Sequence, residues 1–158
     1  MVILRLARET DVPELIELAR NSWLSGFAGT APISFVNERL ARQFEQDWYP
    51  RHWPAMTVAE EEGILLGVVQ VEGDEINGLW VAPAAQGRGV GTDLLRHAEQ
   101  QVKASGHSRA WLTCSGFNPR AAQFYLSRGY LEVGRTTKHR GGNLVEEILT
   151  FEHRLGPG

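Results

Sequence analysis

The sequence predicts an α/β fold in which a mixed, twisted sheet carries helices on both faces. Residues 76–99 have the pattern of a strand, a glycine-rich turn and an amphipathic helix, and residues 110–114 form another short apolar strand. A strand–helix–strand unit is a right-handed crossover, so these two strands should run parallel. Residues 56–60 and 64–71 have the composition of strands joined by a short acidic turn. They predict an antiparallel part of the same sheet.

Length and composition predict one domain over residues 1–155, followed by a disordered tail at 156–158. A chain of 158 residues can bury a sizeable core. The formal net charge of −3 and the lack of a basic run argue against a nucleic-acid partner. The single cysteine, Cys114, excludes an internal disulfide and suits a reducing compartment. No signal peptide and no apolar stretch long enough for a membrane span is evident, so we expect a cytoplasmic protein.

The first third of the chain predicts one strand and two helices. Residues 2–7 alternate loosely as a strand, and Thr10 is placed to cap a helix that runs to about Asn21. Residues 25–32 contain two glycines and a proline and predict a loop. Ser34 is placed to cap a second helix, from which we expect four side chains to face inward: Phe35, Val36, Leu40 and Phe44.

The last part of the chain predicts a helix and two strands. Asn118 can cap that helix, Pro119 suits its first position, and Gly129 ends it. Strands are predicted at 130–136 and 144–153, with a basic, glycine-rich turn at 138–142 between them. That turn is either a solvated hairpin tip or a contact for an acidic substrate.

The strongest functional signal is the turn between the central strand and its helix, residues 86–91, which read Q-G-R-G-V-G. The first amides of a helix have no partner within the helix, and they lie at the positive end of its dipole. Glycines let an anion approach the backbone because no Cβ is in the way, and an arginine adds a fixed charge. The predicted pyrophosphate site comprises Gln86, Gly87, Arg88, Gly89, Val90, Gly91 and Thr92.

Two common nucleotide motifs do not fit this turn. A P-loop requires a lysine after the last glycine, and a dinucleotide fingerprint requires the order G-x-G-x-x-G. The order here is Q-x-x-G-x-G, with L-W-V-A-P just upstream. This combination resembles the acetyl-CoA loop of the GNAT N-acetyltransferase superfamily. A tight turn that binds nothing is the alternative.

A second motif supports the same resemblance. Residues 118–130 read N-P-R-A-A-Q-F-Y-L-S-R-G-Y and contain every fixed position of the GNAT pattern N-x-x-A-x-x-F-Y-x-x-x-G-[FY]. The two motifs follow one another in the family's order, and the resemblance covers roughly residues 64–151. It implies a GNAT fold with acetyl-CoA as cofactor and a mixed sheet that is splayed at its fourth strand, near Val81.

The resemblance also implies roles for three residues. The splayed strand would admit the pantetheine arm of the coenzyme, and the backbone N–H of Val81 would stabilise the oxyanion. Tyr125 would lie beside the coenzyme sulfur, and its phenol, with an ordinary pKa of about 10, would be the acid that protonates the leaving thiolate. Asn118 would contact the pantetheine arm, cap the helix, or do both.

The general base is the least specified group. Glu75 begins the central strand, six residues before Val81, at a register where related enzymes carry a catalytic glutamate. Such a distance, about 20 Å of strand, requires water molecules to relay the proton. Glu72 and Asp74 are alternatives, and all three acids could instead form a solvated turn. No base is needed if the amine has a low pKa.

These motifs predict an enzyme that transfers acetyl from acetyl-CoA directly to a primary amine within a ternary complex. We expect a small-molecule amine because the aromatic segment 46–54 could close a compact pocket, although its rings could equally cover the core. A protein or peptide acetyltransferase and a non-catalytic acyl-CoA sensor are the alternatives. Cys114 is expected to be packed, the histidines have no metal-binding spacing, and the protein would be a monomer or homodimer.

Overall fold

The computed structural model describes residues 1–156, so most of the predicted disordered tail lies outside the described residues. The single domain stays a prediction. In chain order the strands are β1 (Ile3–Leu6), β2 (Met56–Glu61), β3 (Ile64–Glu72), β4 (Glu75–Val81), β5 (Arg109–Ser115), β6 (Leu131–His139) and β7 (Val145–Arg154). The helices are α1 (Val12–Phe27), α2 (Ile33–Ala41), α3 (Phe44–His52), α4 (Val90–Ala104) and α5 (Pro119–Leu126).

The strands form one mixed sheet in the order β1-β2-β3-β4-β5-β7-β6. Strands β4 and β5 run parallel, whereas every other neighbouring pair in the described chain is antiparallel. The parallel pair aligns only at Glu75 and Trp111, and beyond that point the two strands separate. The predicted parallel crossover and the splay at the fourth strand are therefore confirmed.

Helices cover both faces of the sheet. On one face α4 buries an apolar stripe whose members, Leu94, Leu95, Ala98 and Val102, are at most 1% exposed. On the other face α1 and α3 pack on β2 and β3, where Leu15, Val58 and Val68 are fully buried. Burial of these side chains from water is the main stabilising contribution to the fold.

The first two helices differ from the prediction in their limits. Helix α1 continues to Phe27, because Trp23 and Phe27 in its last turns are buried at 2% and 5% exposure. Burial of two aromatic rings outweighs the cost of Gly26 within the helix. The residue that precedes α1 is Asp11 rather than Thr10, and Ser34 lies inside α2 rather than capping it.

The second of these helices is also less buried than predicted. Phe35 and Val36 face inward as expected, whereas Leu40 and Phe44 are each 37% exposed. The chain breaks after α2 at Gln43, which adopts the left-handed conformation, and restarts as α3 with a different face inward. The aromatic segment 46–54 therefore lies mostly on a short helix that includes Pro50.

Candidate active site

A cavity of about 830 Å³ opens where β4 and β5 separate. One side is formed by the glycine turn, the start of α4, and α5. The other side is formed by α1, α2, α3 and the β6–β7 hairpin. The splayed sheet therefore creates one continuous space that connects the predicted cofactor loop with the aromatic segment.

The glycine turn presents free backbone donors to this cavity. Gly87 and Gly89 have φ angles of +80° and +84°, which glycine adopts without strain. The first helical hydrogen bond of α4 runs from the amide of Asp93 to the carbonyl of Gly89, at 3.0 Å. Within residues 1–156, the amides at positions 88–92 have no protein acceptor, and no side chain caps the helix. Cavity-lining members of the predicted loop are Gln86, Gly87, Gly89, Val90, Gly91 and Thr92.

The side chain of Arg88 points elsewhere. Its guanidinium donates to the Glu61 carboxylate at 2.9 and 3.1 Å, and this contact lowers the pKa of Glu61. Arg88 is not among the residues that line the cavity. Its backbone amide is one of the free donors, so any contribution of this residue in the present conformation comes from the backbone.

Two other arginines, which sequence analysis did not single out, line the cavity beside the glycine turn. Arg128 donates to the Thr92 hydroxyl at 2.8 and 3.0 Å, and its guanidinium lies 3.7 Å from the centre of the Phe124 ring. Arg120 donates to the Gln86 side-chain oxygen at 3.2 Å. Both lie at variable positions in or next to the second motif, so the motif itself gave no signal for them.

Val81 has its amide directed into the gap between the strands. The amide of Ala82 donates to the Leu66 carbonyl on β3 at 2.8 Å. Because successive residues of a strand direct their amides to opposite sides, the amide of Val81 faces away from β3. The carbonyl of Val81 accepts a hydrogen bond from the Gln86 side chain at 3.3 Å. This carbonyl contact ties the end of β4 to the glycine turn.

Tyr125 and Asn118 line the same cavity from α5. Tyr125 is 9% exposed, and its ring packs against three aromatic rings with centroid distances of 5.3 to 6.3 Å. Burial, with a smaller contribution from Cys114, raises the pKa of Tyr125 above its ordinary value, so the phenol keeps its proton at neutral pH. The Asn118 side chain accepts the amide of Ala121 at 3.3 Å and therefore caps α5.

Glu75 is not among the cavity-lining residues. It pairs with Glu72 on β3 and with Trp111 on β5, at the end of β4 opposite to Val81. Burial, and then the charges of Glu72 and Asp74, raise the pKa of Glu75. The two alternatives already accept hydrogen bonds, Glu72 from Gln70 at 2.6 Å and Asp74 from Trp111 at 2.9 Å.

Glu146, on β7, is the one carboxylate among the described residues that line the cavity. One of its oxygens accepts from the Arg140 guanidinium at 2.6 and 2.9 Å, and the other accepts from the Ser115 hydroxyl at 2.6 Å. Both oxygens are therefore engaged. The sequence gave no indication of this residue, because it lies in a strand with no motif.

The aromatic segment 46–54 serves both of the predicted purposes, since some of its rings line the cavity and another covers the core. Trp48 and Tyr49 line the cavity, and Trp48 also donates to the Gln70 side chain at 3.0 Å. Trp53 instead packs against the core between α1 and the sheet. His52 stacks on Trp48, with ring centroids 3.6 Å apart.

A family comparison decides the identity of this fold. The model of the acetyltransferase (GNAT) family matches residues 13–130, which include both motifs. This chain belongs to the GNAT acetyltransferase family. The predicted family, its enzyme class and its cofactor, acetyl-CoA, are thereby confirmed.

Individual GNAT proteins resemble the chain over most of its length. The peptidyl-lysine N-acetyltransferase YiaC of Escherichia coli is 29% identical over 133 residues, which cover 81% of this chain and 82% of YiaC. The PaiA N-acetyltransferase of Thermoplasma acidophilum, solved in complex with coenzyme A, has a TM-score of 0.76 at 18% identity and covers 98% of this chain and 99% of its own. An N-acetyltransferase from Rhodopseudomonas palustris has a TM-score of 0.80 at 22% identity, and the match covers 97% of this chain and 95% of that protein's chain.

Residues 1–156 lack two other kinds of feature, a membrane-spanning helix and a cluster of metal ligands. No helix in residues 1–156 is both long and apolar enough to cross a membrane. The same residues contain no group of three or more His, Cys, Asp or Glu side chains placed to hold a metal ion.

Proposed function

We propose that this GNAT acetyltransferase transfers an acetyl group from acetyl-CoA to a primary amine of a small molecule, directly within a ternary complex. One observation carries the proposal: the free amides at the start of α4 open into the same cavity as Tyr125 and the amide of Val81. An anion site, a proton donor and an oxyanion donor therefore share one space.

The residues on the α4 side fit the coenzyme. The amides at positions 88–92 and the guanidinium groups of Arg120 and Arg128 would hold its diphosphate. The unpaired edge of β4 near Val81 would accept the pantetheine arm as an additional strand, and Asn118 lines the same cavity. A cavity of about 830 Å³ is large enough for a ligand of this class.

Acetyl-CoA supplies an acetyl thioester, so a C–N bond forms to the amine while a C–S bond breaks. The amide of Val81 is oriented to donate a hydrogen bond to the carbonyl oxygen as negative charge develops there. The protonated phenol of Tyr125 supplies a proton for the departing sulfur. Glu75 lies outside the cavity, so it would accept the amine proton through water, and its raised pKa brings it closer to neutral pH, where a base works best.

The preference for a small acceptor rests on the walls opposite to the coenzyme loop. Trp48, Tyr49 and Trp80 line that part of the cavity, and Leu144 of the β6–β7 hairpin packs against the cluster around Trp23. These aromatic and apolar groups narrow that part of the cavity to a compact space, which suits a small ligand better than an extended peptide.

A protein-lysine acceptor is the second candidate, because one relative is named a peptidyl-lysine N-acetyltransferase. A non-catalytic sensor of acyl-CoA is disfavoured, because binding alone does not require the buried, protonated Tyr125. Cytoplasmic location and a monomeric or homodimeric state stay predictions.

Release of free thiol from acetyl-CoA tests the proposal. We expect release in the presence of at least one member of a panel of small primary amines, at a higher kcat/KM than with a lysine-containing peptide blocked at both ends. Faster turnover of the peptide would favour the second candidate. Binding of acetyl-CoA by calorimetry without turnover of any amine or peptide would leave only the sensor.

A further inference from the structure

The half of the cavity opposite to the coenzyme loop is rich in cations. Arg39 on α2 and Arg42 directly after it line this half, as do Lys138 and Arg140 of the β6–β7 hairpin. Glu146 is the one lining carboxylate in the described chain, and it is paired with Arg140. Cations therefore outnumber carboxylates on the wall itself, and the carboxylates behind it are distant, with Glu45 at 3.8 Å from Arg39 and Glu38 at 4.0 Å from Arg42.

Arg39 is the most unusual of these cations. Its side chain is 18% exposed, and its guanidinium lies 4.9 Å from the centre of the Trp23 ring and 4.3 Å from that of Phe44. The nearest carboxylate oxygen, on Glu45, is 3.8 Å away, which is too far for a hydrogen bond. Two aromatic faces thus hold a charged group in place without satisfying its donors.

The guanidinium of Arg39 donates no hydrogen bond to any residue in the described chain, and its Nε is buried without an acceptor. Burial lowers the pKa of Arg39, and the carboxylates of Glu45 and Glu146 only partly oppose this. Native proteins rarely bury such a donor without a partner, and each exception calls for an explanation. A planar guanidinium is suited to bind a carboxylate through two parallel hydrogen bonds, and because Nε is closed off from the cavity a ligand would bind the two terminal nitrogens of Arg39.

Building on the proposed function, we propose that the acceptor is an amine that also bears a carboxylate, which binds Arg39, and an apolar group, which packs on Trp48 and Trp80. A free amino acid with an aromatic or large apolar side chain has all three groups. The same cationic wall disfavours a lysine within a basic peptide, because like charges brought together repel one another.

A matched set of acceptors tests this proposal in the thiol-release assay. L-phenylalanine, L-phenylalaninamide and phenethylamine share the ring and the amine, and only the first has the carboxylate. We expect L-phenylalanine to have a kcat/KM at least about tenfold above both others, the effect of one charge-assisted contact. L-phenylalaninamide has the least basic amine of the three compounds, so the largest fraction of its amine is unprotonated at neutral pH. A difference in free amine would therefore favour L-phenylalaninamide and cannot explain a preference for L-phenylalanine.

Two variants assign the preference to a residue. Arg39→Gln should raise the KM for L-phenylalanine by about tenfold or more, leave the KM for phenethylamine unchanged, and leave acetyl-CoA affinity by calorimetry unchanged. Arg51→Gln is the matched control, because Arg51 is an exposed arginine that pairs with Asp47 on α3 and does not line the cavity. Equal melting temperatures of both variants would exclude a folding defect as the cause.

The outcomes separate this proposal from the function on which it rests. If phenethylamine is acetylated as well as L-phenylalanine, the carboxylate proposal is wrong and the acetyltransferase proposal stands. If acetyl-CoA binds but no amine is acetylated, both are wrong. A peptide with a free N-terminal aspartate and an amidated C-terminus tests whether the carboxylate belongs to a free amino acid or to a peptide. Faster turnover of this peptide than of L-phenylalanine would identify an acidic peptide terminus as the acceptor. Arg39 would then keep its role as the carboxylate-binding residue.

Discussion

Tyr125 shows how the surroundings of a single residue support a chemical role. Its ring is held by Phe124, Tyr130 and Phe151, so the side chain has little freedom to move. Burial raises the pKa of its phenol, which keeps the proton available across the neutral and mildly alkaline range. A protonated phenol on a residue that lines the cavity fits the general acid proposed above.

Replacement of this hydroxyl gives the first prediction. Tyr125→Phe should lower kcat by about 100-fold while acetyl-CoA affinity stays nearly unchanged, because the proton donor is lost and the ring remains. Steady-state kinetics and calorimetry measure the two effects. Tyr130→Phe is the control: Tyr130 lies outside the cavity and donates to Glu99 at 2.7 Å, so its loss should affect stability rather than kcat. Full activity of Tyr125→Phe would remove this residue from the mechanism.

Glu75 gives the second prediction, which concerns pH. Its raised pKa means that the carboxylate becomes protonated, and stops acting as a base, at a less acidic pH than an ordinary glutamate would. In the wild type kcat should therefore fall as the pH drops through this raised pKa. Glu75→Gln should lower kcat about tenfold at neutral pH and remove this acidic limb, because no carboxylate remains to titrate.

A control variant separates a base from a general charge effect. Glu72→Gln removes a neighbouring charge that helps to raise the pKa of Glu75, so its acidic limb should move to lower pH and persist. Identical pH profiles for the wild type and Glu75→Gln would show that the amine loses its proton by another route.

Single residues could be predicted from the sequence only where a motif fixed them. Tyr125 and Asn118 occupy fixed motif positions, and both lie in the cavity. Arg88 is different, because a long, flexible side chain on an exposed turn can point into the cavity or away from it. Here it points away and contacts Glu61, which is 27 residues distant in sequence. Arg39 and Glu146 belong to no sequence motif, and part of their surroundings comes from other elements, namely Trp23 on α1 for Arg39 and Ser115 on β5 for Glu146.

At the scale of elements, the start of α4 is the feature on which the proposed coenzyme site depends. Gly89→Glu places a bulky, negatively charged side chain where the diphosphate would bind, and like charges in contact cost several kcal/mol. We expect acetyl-CoA affinity, measured by calorimetry, to fall more than about 100-fold.

The opposite end of the same helix supplies the control for this substitution. Gly106 has a φ angle of +94°, close to the +84° of Gly89, and a Cβ added at either glycine would have no neighbouring heavy atom within 4 Å. Gly106→Glu should therefore carry a similar backbone strain and the same charge while leaving acetyl-CoA affinity unchanged. Equal loss of affinity in both variants would attribute the effect to folding rather than to the diphosphate site.

The central elements could be predicted well because several local signals agree there. The apolar strand, the glycines and the helical spacing of Leu94, Leu95, Ala98 and Val102 all indicate the same arrangement, and the structure has it. The limits of α1 and the existence of α3 could not be predicted, because tertiary burial of Trp23, Phe27 and Tyr49 overrides the local effects of Gly26 and Pro50.

At the scale of the whole molecule, the cavity is a consequence of how the sheet is divided. One side of the division holds β1 to β4, and the other holds β5, β7 and β6. These two parts align only at Glu75 and Trp111, and α4 and α5 pack into a shared core across the division. No local pattern in the sequence predicts such a gap, and the expectation of it came from the family motifs alone.

A ligand that fills this gap should stabilise the whole fold, because it binds both parts of the sheet in the folded state only. At about 100 times its Kd, acetyl-CoA should add about 2.7 kcal/mol of stability, which corresponds to a rise in Tm of about 5–10 °C for a chain of this size. Thermal unfolding followed by circular dichroism measures this rise. ATP and NAD at the same concentration should raise Tm much less, because the turn lacks the P-loop lysine and the dinucleotide glycine order. The Gly89→Glu variant should gain at most about 0.4 kcal/mol from the same concentration of acetyl-CoA, because that concentration no longer exceeds its Kd. A larger rise with ATP than with acetyl-CoA in the wild type would contradict the assignment of the anion site.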